Sequence, residues 1–443
     1  MNNDKNNDKN TEEPSKLELK GQKKEIKLIN QGTYGCIYRP GINCQTGKKE
    51  TNEFLTKIQL KETTSTNEIE IGSIIQKING FQYYYAPILE NCDITLATIG
   101  KDNIQKCDPL TSAIKSNAQA EFVSNKIQYV GKNTFAKYIL QILPVNPSSN
   151  INPTIQMKKV FEKIPDTHLF LLESIKQLSD LDIVHFDLKD NNIMWDEQYD
   201  VPKIIDFGLS VQIKKLTPKT YKDSFYTLYD TYSPWCIDII ILSFIADKYA
   251  HNIQNIDRFV EEKIQNVGDI KKHCENYVLK SNVFIKNVFS KNEISAFLTQ
   301  INTYVGGFVG KTWKMVSDET IKNYKTWDNY SIATMNMKLI SDIGIIDNQN
   351  SEFMKEYVQL LKDIILALPE KRKSLEDTAA QIKSIFGKIK KSDYESLIEE
   401  MILKYAQPEN MAKIKQNIEQ DGIEQLSDDD KIESLRKSKD IKI

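Results

Sequence analysis

Histidine is scarce in this sequence, with four in 443 residues (168, 185, 251 and 273), and the six cysteines at 36, 44, 92, 107, 236 and 274 include no C-x-x-C pair. Neither set has the spacing of zinc ligands, so no structural zinc site is expected. Cysteines scattered in this way read as reduced, intracellular thiols. Long apolar runs are missing too. The longest, Cys236–Ala246, is interrupted by Asp238 and is too short to span a bilayer. The opening Met1-Asn-Asn-Asp-Lys has no apolar segment of the kind a secretory signal needs. Nor is there an excess of one charge. Against 59 basic residues stand 61 acidic ones, a net charge of −2, which predicts neither a nucleic-acid nor a membrane partner. The chain is expected to be soluble and intracellular, and nothing in it speaks to oligomeric state.

What is present is a change of texture along the chain. Residues 1–24 are rich in Asn, Lys and Glu and are expected to be disordered. From residue 25, short apolar runs containing Ile26, Leu28, Ile37, Phe54 and Ile58 are broken by Gly and Asn and predict strands. Ile71, Ile74, Ile75 and Ile78 at helical spacing predict a helix over Thr64–Ile78. Tyr83–Leu89 and Lys137–Leu143 read as further strands, separated by a polar insertion near 91–135. The Pro/Asn/Ser punctuation at 144–153 marks a boundary. Beyond it Phe161, Leu169, Leu172, Ile175, Leu178 and Leu181 predict one long helix, and helical spacing persists to 386. Residues 387–443 are charged, with Leu397, Ile398, Met401, Ile402 and Tyr405 on one stripe. That segment is either a docked helix or a frayed tail, and its removal is expected to cost modest stability and spare catalysis.

Chemistry concentrates in two short runs. His185-Phe-Asp187-Leu-Lys189-Asp-Asn-Asn192 puts a carboxylate, an ammonium and an amide within eight residues. Phosphoryl transfer asks a protein mainly for positioning and charge neutralisation. Asp187 could accept and orient a hydroxyl, Lys189 could reach a migrating phosphate, and Asn192 could offer an amide oxygen to Mg²⁺. Fourteen residues after Asn192, Asp206-Phe207-Gly208 follows the apolar pair Ile204-Ile205 and offers a second metal ligand. His185 reads as a packed residue rather than a base.

Upstream, Ile29-Asn-Gln-Gly32-Thr-Tyr-Gly35-Cys-Ile37 reads as a strand, a glycine turn and a return strand. Its glycines would admit phosphates to the backbone, and Ile29 and Ile37 would border a purine. Lys57 sits alone within the apolar run Phe54–Ile58 and is expected to face inward, toward phosphates and a helix glutamate. Glu68 shares a face with Ile71 and Ile75 and is preferred over Glu70, although Ser65-Thr-Asn-Glu68 also fits a capping box.

These residues carry a resemblance. The chain resembles eukaryotic-like Ser/Thr protein kinases over roughly residues 26–385, through Gly32-x-x-Gly35-x-Ile37, Lys57, Asp187-Leu-Lys189-x-x-Asn192 and Asp206-Phe-Gly208. The resemblance implies an α+β, two-lobed protein-kinase fold. A small β-rich N-lobe with one key helix would span 25–145, a larger, mainly helical C-lobe 146–386, and a helical extension 387–443. It implies ATP and Mg²⁺ as cofactors and Ser/Thr hydroxyls of a protein substrate as acceptors. Asp187 and Lys189 would be catalytic and Asn192 and Asp206 metal-binding, while Ile29, Gly32, Gly35, Ile37, Lys57 and Glu68 would bind nucleotide. A pseudokinase, or a kinase of small molecules or lipids, uses a related fold and is the alternative. Three departures stand out. Phe186 replaces the arginine that in many relatives grips an activation-loop phosphate, so activity is expected without such phosphorylation. No A-P-E follows the D-F-G. The glutamate that would pair with a helical arginine is missing, although Pro369-Glu-Lys-Arg372 resembles the arginine's segment, while Asp238 resembles the buried aspartate that braces the catalytic loop. The Lys/Asn/Ile-rich texture and Lys325-Thr-Trp-Asp-Asn-Tyr-Ser331 are similar to Ser/Thr kinases of large nucleocytoplasmic DNA viruses, which would place the chain in host cytoplasm or virion.

Overall fold

Strands β1 (Lys27–Gly32), β2 (Gly35–Arg39), β3 (Phe54–Leu60), β5 (Ile88–Ile94) and β6 (Phe122–Gln128) form one antiparallel sheet in the order β1-β2-β3-β6-β5. This is a computed structural model describing residues 26–32, 35–43, 48–95, 100–117, 119–144, 151–226, 232, 234–346 and 351–440. The segment 1–24 lies outside the described residues, as does most of the punctuation at 144–153. Within the stretch 91–135, Phe122–Gln128 supplies β6, which pairs with both β3 and β5.

Helices of eight or more residues are numbered in chain order. Helix α1 (Thr63–Ile75) follows β3 and packs against β5. Its cap lies one turn before the predicted capping box: the Glu62 backbone N–H donates to Ser65 Oγ at 2.9 Å. Glu68 is therefore not a capping residue, and its side chain is available to β3. Buried Ile71 and Ile75 hold the helix against the main core.

Helix α2 (Asp108–Ser116) covers the outer side of the sheet, where Cys36, Tyr38, Ile42, Ile58, Cys107, Leu110, Ala113 and Phe122 make a small separate core. Cys36 of β2 and Cys107, the residue before α2, form a disulfide across 71 residues, and Cys92 is disulfide-bonded as well. This corrects the expectation of reduced thiols. A bridge made by the packing of an inserted helix on a distant strand leaves no signature in cysteine spacing. Cys236 and Cys274 are free and buried.

The predicted strand over Lys137–Leu143 is instead helix α3 (Phe135–Ile142). Thr134 caps it, and Phe135, Tyr138 and Ile139 bury at i, i+3 and i+4, which is a helical period and not an alternating one. The long predicted helix is α4 (Pro153–Asp180). After it come the short strands β7 (Ile183–Val184), β8 (Ile193–Asp196), β9 (Val201–Ile205) and β10 (Val211–Gln212). In a second sheet β9 pairs with β8 and with β4 (Tyr85–Ala86), and in a separate two-stranded sheet β10 pairs with β7.

The remainder is helical: α5 (Ile237–His251), α6 (Gly268–Asn276), α7 (Lys291–Gly306), α8 (Trp313–Ile321), α9 (Trp327–Asp342), α10 (Glu352–Ile365) and α11 (Leu375–Gly387). Two further helices, α12 (Lys391–Tyr405) and α13 (Pro408–Asp440), fold back on the body. Leu397, Ile398, Met401 and Tyr405 are buried, and Tyr405 Oη donates to the Ile343 carbonyl at 2.8 Å. Over residues 397–418 the C-terminal segment is docked on the main core. Among the described residues no helix is long and apolar enough to cross a membrane.

Candidate active site

The loop after β7 is held from several sides. Asp328, near the start of α9, accepts from the backbone N–H of His185 (2.7 Å) and of Phe186 (3.0 Å). The His185 ring is fully buried and shares a hydrogen bond with the Ile205 carbonyl at 3.0 Å, tying the loop to β9. Phe186 adopts a left-handed backbone conformation (φ 71°) rarely tolerated by a bulky side chain. Its ring lies 4.9 Å from that of Trp235, and Trp235 Nε1 donates to the Phe186 carbonyl at 2.9 Å. Strain of this kind persists only where surrounding contacts over-determine it.

The residue bracing the loop is thus Asp328, not Asp238. Asp238 forms a fully buried ion pair with Arg372 at 2.7 Å and accepts from Trp327 Nε1 at 3.1 Å. The carboxylate that Arg372 needs is present after all, supplied by an aspartate at the start of α5. Helices α6 to α8 lie in sequence between Asp238 on α5 and Asp328 on α9, a distance that local patterns do not bridge.

Within the loop, Asn192 Nδ2 donates to both the backbone carbonyl and Oδ2 of Asp187, each at 2.8 Å. Lys189 Nζ stands 3.1 Å from Asp187 Oδ1. Asp190 is buried against the start of α3, accepting from Thr134 Oγ1 at 2.6 Å and the Ala136 N–H at 2.8 Å. Burial raises the Asp187 carboxyl to about 6, with the negative charge of Asp206 adding to the effect and Lys189 opposing it.

Lys57 enters from β3. Its Nζ lies 2.9 Å from Glu68 Oε2 and 3.3 Å from Asp206 Oδ1, while Gln59 Nε2 donates to Glu68 at 3.2 Å. Glu70 points away and pairs with Lys215. Burial alone would lower Lys57, but the charges of Asp206 and Glu68 override it and hold the ammonium firmly protonated. Burial alone would likewise raise Asp206. Lys57, the Gly208 backbone N–H and Lys189 together more than offset that, and the carboxyl is held below its ordinary range. Helix α1 is fastened to the same segment, because Asn67 Nδ2 donates to the Ser210 carbonyl at 2.8 Å. Phe207 is buried, edge-on to His185 at 5.0 Å. Lys57, Glu68, Asp187, Lys189, Asn192 and Asp206 therefore line one cluster.

Strands β1 and β2 of the glycine hairpin lie beside β3 in the same sheet. Gly32 pairs with Gly35, and Ile37 lies opposite Lys57. Gly35 has a structural reason to be glycine, since an added Cβ would collide with the Ile58 carbonyl and Gln59 Cβ. Ile29 is 48% exposed on β1.

Two participants carry no mark in the sequence. Tyr232 is buried, and its hydroxyl donates to Asp187 Oδ1 and accepts from Lys189 Nζ at 3.0 Å. Its place in Tyr232-Ser-Pro-Trp235 suggests only a substitute for the missing A-P-E. Asn191 is the other. Its backbone N–H donates to Gln425 Oε1 at 3.1 Å and its Nδ2 to the Gly422 carbonyl at 3.0 Å, both on α13. No local signal announces a partner more than two hundred residues away.

Residues 101–233 match the family described as protein kinase domain, a stretch that includes Asp187, Lys189, Asn192 and Asp206. Two probable serine/threonine-protein kinases of Dictyostelium discoideum are similar over shorter stretches. One is 33% identical over 84 residues, 19% of this chain, and the other, fnkB, is 26% identical over 160 residues, 34% of this chain. The chain spans only 8% and 27% of the lengths of these relatives.

Proposed function

Starting from that similarity, which supports protein phosphorylation at a general level, we propose that the chain transfers the γ-phosphate of ATP to Ser/Thr hydroxyls of protein substrates. The observation that carries this reading is the Tyr232 hydroxyl. It sits between a carboxylate that accepts its proton and an ammonium that donates to its oxygen. An acceptor hydroxyl in that place would meet Asp187 as base and Lys189 as the neutralising charge. Tyr232 has to move aside for the acceptor to enter.

The residues present fit nucleotide and Mg²⁺. Mg²⁺ is usually held by one or two carboxylates with phosphates and water completing its shell. Asp206, whose side chain is 38% exposed, supplies the carboxylate. Asn192 spends its amide nitrogen on Asp187, so the oxygen end is the one that can face a cation. Lys57, kept charged and oriented by Glu68, is placed to meet the α- and β-phosphates. Bound metal would neutralise charge on the phosphates, while the chain's own residues orient the hydroxyl and take its proton. Phe186, packed among aromatic rings, offers no charge for a phosphorylated activation loop, which fits activity without that modification.

The test is transfer of radiolabel from ATP to generic acceptor proteins, with Asp187→Ala as control. Label on protein Ser and Thr, lost in the variant, is expected. ATP binding without transfer would indicate a binding module instead, and label confined to sugars or lipids would move the acceptor class.

A further inference from the structure

The C-terminal helix α13 touches the loop that carries Asp187. Resting on the function proposed above, we infer that α13 is a working part of the phosphotransfer site, with Gln425 the positioning residue that holds the loop through Asn191.

Gln425 Oε1 accepts from the backbone N–H of Asn191 at 3.1 Å, and the Gly422 carbonyl accepts from Asn191 Nδ2 at 3.0 Å. Asn191 immediately precedes Asn192, whose amide fixes Asp187 by two hydrogen bonds of 2.8 Å. A shift of Asn191 therefore passes through one peptide unit to the side chain that orients the base. On the other flank Asp190 is tied to α3. The loop is held by α3 and α13 on this side and by Asp328 of α9 on the other.

The helix itself is anchored elsewhere. Met411, Ile414 and Ile418 are buried in the main core, and Asp421 pairs with Lys338 of α9 at 2.7 Å. Gln425 contributes to the loop without being what keeps the helix in place, so a change there tests positioning rather than docking. Misplacement of a reacting group by about 1 Å can cost roughly 100-fold in rate. The C-terminal segment is then needed for turnover, against the expectation from its composition that catalysis would survive its removal.

The experiment compares full-length Gln425→Met, which keeps the side chain's length but loses the acceptor, with Gln425→Glu, which keeps an acceptor. For Gln425→Met, kcat is expected to fall about 10-fold or more while KM for ATP and the unfolding temperature hold, because the group orients the base and binds no substrate. Amide exchange over residues 187–192 should quicken in the same variant. Gln425→Glu should retain kcat within about threefold, since the acceptor survives. Wild-type kcat with unchanged exchange in Gln425→Met would overturn the inference, and so would an equal fall in Gln425→Glu. If the wild-type chain transfers no phosphate, the functional reading fails on its own, and the exchange measurement still decides whether α13 holds the loop.

Discussion

The cleft cluster of Lys57, Glu68, Asp187, Lys189 and Asp206 and the scaffold pair Asp238–Arg372 both place charge inside the protein, but they are balanced differently. In the scaffold pair each side chain is completely buried and meets its opposite at 2.7 Å, with Trp327 Nε1 adding a donor to Asp238 and Thr326 Oγ1 accepting from Arg372. In the cleft three carboxylates face two ammonium groups, one carboxylate is pushed up to about 6, and Asp206 remains partly open to solvent. A closed, matched pair fixes geometry. An open, mismatched cluster is left with charge to offer a ligand, and strongly perturbed groups in a cleft are the expected mark of chemistry.

Substitutions should separate the two. Asp187→Ala is expected to lower turnover by about 10³-fold, the usual scale for a lost general base, with no loss of thermal stability. Comparable activity in the variant would remove Asp187 from its role. Arg372→Met should do the reverse. It strands Asp238 without its partner, a change that costs about 3–5 kcal/mol when a buried pair is broken. Because the penalty comes from the orphaned charge, Asp238→Leu combined with Arg372→Met should recover most of the lost stability. A double variant no more stable than the single one would mean that the pair is worth more than its desolvation.

Smaller effects probe the cleft alone. Glu68→Gln removes one charge from Lys57 but leaves Asp206, and a charged hydrogen bond of about 1.5–3 kcal/mol translates into roughly 10- to 100-fold in kcat/KM for ATP. The same substitution at Glu70, which pairs with Lys215 on the surface, should change it less than about twofold, as exposed pairs are worth little. Equal effects at the two positions would erase the distinction between them. Tyr232→Phe deletes the hydroxyl that donates to Asp187 and stands in the proposed acceptor position. Its expected result is a kcat/KM for protein acceptors about 3- to 10-fold higher, the scale of one or two net hydrogen bonds no longer to be displaced. A fall instead would make Tyr232 a support of Asp187 rather than its occupant.

The contrast between the regions also explains what is legible in the sequence. Asp187, Lys189, Asn192 and Asp206 lie within twenty residues, so their convergence needs only one hairpin, and Glu68 joins Lys57 by the facing of a single helix. The partners that hold them are remote. Asp328 braces His185 across 143 residues, Arg372 meets Asp238 across 134, and Gln425 reaches Asn191 across 234. Lys325-Thr-Trp-Asp-Asn-Tyr-Ser331 is visible as a motif, yet nothing local matches its aspartate to the loop while Asp238 stands closer. Residues 137–143 mislead for a different reason. A short apolar run suits strand and helix alike, and burial at Phe135, Tyr138 and Ile139 decides for helix only once the neighbouring core is known.

The finest test of the mismatched cluster is its pH response. Burial raises the Asp187 carboxyl to about 6, with Asp206 adding and Lys189 opposing. The base must be ionised, so kcat/KM should climb about tenfold per pH unit on the acid side of 6 and level off above it. Stability responds with the opposite sign. The folded group binds its proton more tightly than an unfolded aspartate with a pKa of about 3.9, so its contribution is fully present below about pH 4 and is lost as pH rises through about 6. Asp187→Asn does not titrate. Its stability relative to the wild type should therefore increase between about pH 4 and 6, by about 1.4 kcal/mol per pH unit across that interval, and stay constant above it. A flat kcat/KM from about pH 5 to 7, together with parallel stability curves, would show that Asp187 keeps an ordinary carboxylate value and that the cleft is as well balanced as the scaffold pair.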